Sequence, residues 1–426
     1  MRVLVTDGRE RPALAVVRSL GRRGVPILVG AETPQSLASA SKYCDRALTY
    51  PAPSDDRKAF DRFLLGLVRR GEAEVVLPVT DVAMAAVTAN QDALRHHCAL
   101  ACPPFAAFET TTDKGTLARR AAASGVPVPR TRFVDGPGDL RNVSVDEWPA
   151  VVKPVRSRVR TRDGWVGTRV HYVHSREDLL RLYEETDYLR QSPSLIQQRI
   201  VGPGLAIFVL FEHGRLVTDF AHRRLREKPP SGGASVLCES VPVDPRLRDF
   251  ARRLLGPLGW HGVAMLEFKQ DCRTGEVYLI EVNGRFWGSL QLAIAAGVDF
   301  PYLTYQLAIG ERPIVPDGYR IGVKNRWLLG DLDHLVARLR HTAEALELGP
   351  SAPSRMQATI AFLRFVEPGL SYEIISADDP GPFAFELSEY CRTLLAGVGR
   401  RLHIRRHAGS WLPHVAGSQR RPQPSA

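Results

Sequence analysis

Short apolar runs alternate with segments of helical spacing over the first hundred residues. "RVLVT" (2–6) reads as a buried strand, and "RPALAVVRSLGRRG" puts apolar residues at helical spacing before Gly24 stops the helix. "VPILVG" is the next strand, and "EVVLPVTD" (74–81) is another with a helix after it. This alternation predicts a parallel, Rossmann-like α/β domain to about residue 105. Its first turn is "TDGRERP" rather than Gly-x-Gly-x-x-Gly, so a dinucleotide site is unsupported. Asp7 and Asp81 end two strands, where open sheets bind ligands. Helix N-capping is the simpler reading for both.

The pattern changes after "CPPF" (102–105). "TTDKGTLARRAAASGVPVPR" predicts a capped helix stopped at Gly125. "WPAVVKPV" is a short buried strand, Asp178 to Tyr188 is helical, and "SLIQQRIVGPG" is a strand running into a turn. "LAIFVLFEHGRLVTDFAHRRL" predicts two strands about a His213–Gly214 turn. "RLRDFARRLLGPLGW" is an amphipathic helix, and "GVAMLEFKQDCRTGEVYLIEVNGRFWG" is a second hairpin. Residues 313–426 predict mostly helix after one early strand, and no internal repeat is present.

The second hairpin carries the chemistry. In "YLIEVNGRFWGS", Glu281, Asn283 and Arg285 fall at every second position of a strand rich in apolar residues. Alternation points all three the same way. With Thr274 at the centre of the "DCRTGE" turn, Glu267 faces Glu281 directly. Two opposed carboxylates on a half-buried face repel, so a cation belongs between them, either a basic side chain or a metal. Asn283 adds an oxygen on that face. Three hard oxygen ligands completed by phosphate oxygens suit Mg²⁺. Arg285, one step further, would reach charge developing on a bound oxyanion.

Composition narrows the class. Hydrophobic residues make up 44% and charged residues 24%, ordinary values for a globular protein. "MRVLVTDG" runs straight into a strand without a secretory h-region, and no eighteen-residue apolar stretch occurs; the expectation is a cytoplasmic chain with no membrane partner. The six cysteines lack zinc-type spacing and read as cytosolic thiols. Much of the +11 formal charge lies in a tail holding Arg400, Arg401, Arg405, Arg406, Arg420 and Arg421. No nucleic-acid motif accompanies it, so nucleic acid is not the expected partner. A second basic cluster, Arg156, Arg158, Arg160 and Arg162, follows Lys153.

In order and spacing these elements resemble the ATP-grasp superfamily, and within it stand-alone members related to the carbamoyl-phosphate synthase large subunit and biotin carboxylase. The resemblance covers about residues 105–310. It implies a two-lobed ATP-grasp fold (106–312), and the Rossmann-like α/β domain (1–105) fits the family's usual N-terminal neighbour; the mostly helical extension (313–426) matches no shared motif. The lid lobe would span about 115–200 and the metal-binding lobe about 201–312. The basic tail, from about 408, is expected to be disordered. "LEFK…LIEVNGR" resembles the family's two-acid metal signature, which places Glu267, Glu281 and Asn283 on Mg²⁺, with Mn²⁺ as an alternative ion. Arg285 corresponds to an arginine facing the acyl-phosphate site, and Lys114 and Lys153 to lysines that meet the nucleotide phosphates. "IQQRIVG" looks like the hinge between the ATP-gripping lobes, with Gln197, Gln198 and Ile200 near the adenine. "AHRRLREKPPSGGAS" resembles the segment that lays basic side chains over the phosphates. This nominates His222, Arg224 and Arg226 and predicts a loop ordered by ligand, with Arg224 assisting Arg285. Two departures stand out: "VRSRVRTRDGWVG" replaces a glycine-rich loop, and Leu205 stands where some relatives hold the ribose with an acid.

The implied activity is ADP-forming ligation. A small carboxylate becomes an acyl phosphate, and an amine or similar nucleophile displaces phosphate. A bicarbonate-using relative and a non-catalytic nucleotide-binding protein are the alternatives, and a homodimer is left open.

Overall fold

Val3, Leu4 and Val5 are completely buried, and so are Val75 and Val76. Strands covered on both faces are expected to read as unbroken apolar runs. The computed structural model describes residues 1–406 apart from 142, 146, 157, 162, 163, 231, 347 and 349–351. Its first sheet holds β1 (Val3–Val5), β2 (Ile27–Ala31), β3 (Arg46–Thr49) and β4 (Val75–Leu77), all parallel, in the order β3-β2-β1-β4. The helices Arg11–Gly21, Arg57–Arg69 and Asp81–Ala89 alternate with them. β3 lacks the apolar signature because it is a largely exposed edge strand.

Capping is not what Asp7 and Asp81 do. Thr80 caps the helix Asp81–Ala89 through the Ala83 amide, and the first helix starts at Glu10 without a side-chain cap. Asp7, at φ 57°, accepts from the Thr80 amide at 2.9 Å and so ties the ends of β1 and β4 together.

A second, antiparallel sheet contains β5 (Thr131–Val134), β6 (Ala150–Pro154), β9 (His171–Val173) and β10 (Ser194–Gln198), in the order β5-β10-β6-β9. A hairpin of β7 (Arg158–Thr161) and β8 (Gly164–Gly167) lies within it in sequence. This lobe has its own core of Val134, Val152, Leu179, Tyr183 and Ile196. The segment expected to form one helix from Asp178 to Tyr188 is two helices, Arg176–Glu185 and Asp187–Gln191.

The third sheet has seven strands. They are β11 (Gly204–Glu212), β12 (Arg215–Lys228), β13 (Ala234–Val241), β14 (Gly262–Gln270), β15 (Val277–Asn283), β16 (Lys324–Arg326) and β17 (Leu370–Tyr372). Their order is β15-β14-β11-β12-β13-β16-β17. β11 and β12 turn at His213–Gly214, where both φ angles are positive, as a two-residue hairpin of this kind requires. One core joins this sheet to the first, running from Leu4 and Val76 through Phe108 and Trp260 to Leu266 and Val282.

Two expectations change here. The strand expected to end at Leu225 runs on to Lys228 and bonds to β13, so the loop expected over the whole basic segment does not begin before Pro229. Ser231 lies outside the described residues. The C-terminal extension supplies two strands, β16 and β17, to the large sheet besides its helices Leu328–Arg340 and Arg355–Phe362. Residues 384–406 belong to a separate unit and continue a helix that begins at Gly381. The tail from 408 lies outside the described residues. No helix among the described residues is long and apolar enough to cross a membrane.

Candidate functional site

Glu267 pairs directly with Glu281, and Met265 with Asn283, in the β14–β15 ladder. Towards the turn the register is one residue different: Phe268 faces Leu279, so Ile280 is a bulge. The bulge resets the alternation. Leu279 and Val282 both enter the core, whereas Glu281 and Asn283 share the opposite face. Gly284 then lets the strand end press against the core, since a Cβ there would lie 2.8 Å from the Trp260 ring.

The polar face is assembled from several elements. Asn283 Nδ2 donates to Glu281 Oε1 at 3.1 Å, and Arg285 Nη2 donates to Asn283 Oδ1 at 3.4 Å. Arg224, arriving on β12, places Nη2 3.3 Å from Glu267 Oε2 and Nη1 3.0 Å from Glu227. Burial, reinforced by the facing Glu281, raises the Glu267 carboxyl above its ordinary range, with Arg224 opposing. Two acids and an amide form an incomplete cage, and among the described residues no group of three or more His, Cys, Asp or Glu side chains is placed to hold a metal ion. Such a partial oxygen set fits Mg²⁺, which keeps water and phosphate oxygens in its shell. Glu267, Glu281 and Asn283 are the residues that would hold it.

Lys153 comes from β6 in the small lobe. Burial pushes it down to about 8, with Glu281 and Glu267 opposing and Lys114 and Lys269 assisting. The lobe thus delivers a lysine to the carboxylate face. Lys114 begins the helix Lys114–Ala123, capped by Asp113 through the Thr116 amide at 2.8 Å. A cleft of about 370 Å³ brings Lys114 and Arg156 together with Glu281 and Asn283, and Asp81 and Glu109 also line it. Arg156 is positioned by Glu109 at 2.7 Å. The side chains of Arg158 and Arg160, and all of Arg162, lie outside the described residues.

Other nominated residues sit differently. His222 is buried, stacks on Phe208 with ring centroids 4.7 Å apart, and shares a hydrogen bond with Ser289 at 2.8 Å. Burial, with Arg224 assisting, pushes it down to about 3, so it is a neutral core side chain rather than a phosphate ligand. Arg226 forms a two-pronged pair with Asp331, both contacts at 2.6 Å, and ties β12 to the helix Leu328–Arg340. Gln197 lines the crevice with Lys114, Leu195 and Ile280, and donates to Thr131 at 2.9 Å. Gln198 instead engages Arg130 at 3.3 Å and Glu147 at 3.4 Å. Ile200 is buried beyond the end of β10.

Asp81 was missed as a site residue. Its carboxylate accepts from Arg285 Nε at 2.9 Å, joining the end of the first sheet to the hairpin that bears Glu267 and Glu281. Its place at a strand end was the available signal, but its partner lies 204 residues away.

Residues 190–327 match the family model described as ATP-grasp in the biosynthetic pathway with Ter operon. No curated protein matches the sequence. Among solved structures, the chain is similar to L-amino acid ligase from Bacillus licheniformis (18% identity, 72% of this chain and 74% of that one, TM-score 0.56). It is also similar to a biotin carboxylase–β,γ-ATP complex from Campylobacter jejuni (16% identity, 76% and 74%, TM-score 0.61). A third is the biotin carboxylase domain of Hydrogenobacter thermophilus 2-oxoglutarate carboxylase with MgADP, ADP and bicarbonate (18% identity, 76% and 73%, TM-score 0.57). The chain therefore has the fold of these ATP-grasp structures, and its segment 190–327 matches an ATP-grasp family model.

Proposed function

We propose that the chain is an ADP-forming ligase that activates a small carboxylate as an acyl phosphate for attack by an amine or similar nucleophile. The observation that carries this reading is the direct pairing of Glu267 with Glu281 on a face that also receives Lys153 and Arg224. Opposed acids with a lysine delivered from another lobe suit a phosphate-and-metal site better than a packing interface.

A substrate carboxylate oxygen forms a bond to the γ-phosphorus of ATP as the bridging bond to ADP breaks. The nucleophile then adds to the acyl carbon, loses its proton, and inorganic phosphate leaves. Phosphoryl transfer of this kind depends mainly on alignment and charge neutralisation. Mg²⁺, which Glu267, Glu281 and Asn283 would hold, would supply charge neutralisation to the nucleotide phosphates. Lys153 and Lys114 hold the phosphate oxygens, Arg156 closes the cleft beside them, and Arg285 and Arg224 face the oxyanion of the acyl group.

The test is an ADP-release screen over small carboxylates, amino acids and bicarbonate, each with and without amines, in the presence of Mg²⁺. Release that requires a carboxylate and an amine together supports the reading. Release with bicarbonate alone moves the chain to the carboxylating class, and no MgATP binding at all refutes the ligase assignment.

A further inference from the structure

A separate cavity of about 680 Å³ lies on the other side of Arg224. It is walled by β12, β13 and β16 of the large sheet and by the helices Leu328–Arg340 and Arg355–Phe362 of the extension. Of the residues that resemble the shared nucleotide and metal motifs, its lining uses only Arg224 to Glu227 and Pro230, all from the segment "AHRRLREKPPSGGAS". Arg224 both lines this cavity and reaches Glu267 on the candidate metal face.

The lining is cationic. Arg224, Arg226, Lys324, Arg326, Arg338 and Arg364 face it, against Glu227 and Glu367. Asp331 and Glu267, which pair with Arg226 and Arg224, raise the carboxylates to four against six cations. Asp331 also holds Arg326, whose guanidinium donates to the Phe362 and Arg364 carbonyls, so two of the arginines are fixed in direction. Between the charges the wall is apolar, through Leu237, Ala358, Ala361 and Leu370. The volume is that of a small-molecule site. Excess positive charge with an apolar floor selects an anion that has a hydrocarbon body, since a fully hydrated inorganic ion gains nothing from the floor.

We propose that this cavity binds an organic acid with an apolar portion, one anionic end of which meets Arg224 and so reaches the Glu267–Glu281 face. Only the naming of that acid as the substrate to be activated rests on the ligase reading; the selectivity of the cavity stands without it.

The experiment uses the full chain and two fluorescent probes of similar shape, anionic 8-anilinonaphthalene-1-sulfonate and uncharged N-phenyl-1-naphthylamine. MgADP binding is measured on the same samples. The anionic probe should bind about tenfold or more tightly than the neutral one, the scale of one charge-assisted contact. Ala361→Trp, which fills the cavity, and Arg364→Glu, on its exposed rim, should each weaken the anionic probe by about tenfold while leaving MgADP affinity unchanged. Arg224→Gln should weaken it as well. Equal affinity for both probes, or indifference to Ala361→Trp and Arg364→Glu, overturns the proposal; indifference to Arg224→Gln overturns the placement of the anionic end. Should Ala361→Trp fail to fold, Arg364→Glu decides. Selective probe binding without MgADP binding refutes the ligase reading and leaves the cavity assignment standing.

Discussion

Lys153 is the residue whose charge is most finely set. Burial lowers it to about 8, so between about pH 8 and 10.5 the folded chain binds fewer protons than the unfolded one. Stability of the free protein therefore gains from this group as pH rises through that window. Nucleotide phosphates beside Lys153 would restore its charge, so MgADP binding should take up a proton there. Calorimetry at about pH 9 in two buffers of different ionisation enthalpy should give different apparent enthalpies for the wild type and equal ones for Lys153→Gln. Equal enthalpies in the wild type would remove Lys153 from the phosphate site. Glu281→Gln should abolish most Mg²⁺-dependent turnover with the fold intact, because one hard anionic ligand is lost; unchanged turnover at saturating Mg²⁺ rules out the metal assignment. Arg285→Lys keeps a charge but loses the planar fork, so turnover should fall by roughly a hundredfold with little change in nucleotide affinity. A variant that melts early yet keeps its turnover per folded molecule would make Arg285 a strut for Asp81 alone. His222→Ala should do the opposite of a ligand change: a melting temperature lowered by the loss of about 2 kcal/mol of stacking and hydrogen bonding, with nucleotide affinity preserved. The paired acids and Asn283 were legible because a hairpin is a local object. The burial of His222 was not, because its hydrogen-bond partner Ser289 lies 67 residues away, in a segment that sequence spacing does not place beside it.

At the scale of elements, the bulge at Ile280 decides which face the acids occupy. Strict alternation would put Leu279 beside Glu281 and Asn283, yet Leu279 is buried in the shared core. The Thr274-centred reading placed Glu267 opposite Glu281 correctly, but the turn-proximal pairs, Phe268 with Leu279 and Gln270 with Val277, sit one residue off it. The bulge absorbs that offset. Deleting Ile280 should leave Glu267 facing Glu281 in a regular ladder, so the chain should fold and keep Mg²⁺-dependent stabilisation by nucleotide. Inserting an alanine between Glu267 and Phe268 should destroy both, because it turns the acids into the core. Melting curves with and without MgADP separate the two variants, and equal behaviour would mean that the bulge is incidental. The edge strand β3 and the three-residue β17 were not legible, being too short or too polar to carry an apolar period. The segment 222–228 misled for a different reason. Its basic residues followed by a Pro-Pro and a Gly-Gly pair read as a loop beyond Leu225, but Arg223, Arg226 and Lys228 are each matched by an acid from a neighbouring element, and pairing at that distance leaves no local trace.

In the whole molecule, the lobe bearing Lys153 has its own core, whereas the first and third sheets share one. The chain enters that lobe near Pro127 and leaves it through 199–203. Both connections are bonded to the β14–β15 hairpin: the Leu279 amide donates to Pro127 at 2.8 Å, Cys272 to Val201 at 2.9 Å, and Gln270 to Pro203 at 3.0 Å. The lysine-bearing lobe is therefore registered on the same hairpin that presents Glu267 and Glu281. The α/β start, the strand β10 with the connection after it, and the acid hairpin were all readable in order along the chain, but this docking of connection on hairpin was not, because it is made of backbone groups that any residues can supply. Gly202 is the position where it depends on sequence. Its φ of 155° and the Gln270 carbonyl, which would lie 1.9 Å from an added Cβ, leave no room for a side chain. Gly202→Ala must push the connection off the hairpin or strain it, at a cost of about 2 kcal/mol or more. If registration of the lobes is what aligns Lys153 with the acids, MgADP affinity should fall in this variant while each core stays intact. Hydrogen exchange should then quicken at 199–203 and 270–272 without change in β1 or β4. Normal nucleotide affinity in a variant with a loosened connection would show that the lobes find their alignment on the ligand rather than on the hairpin.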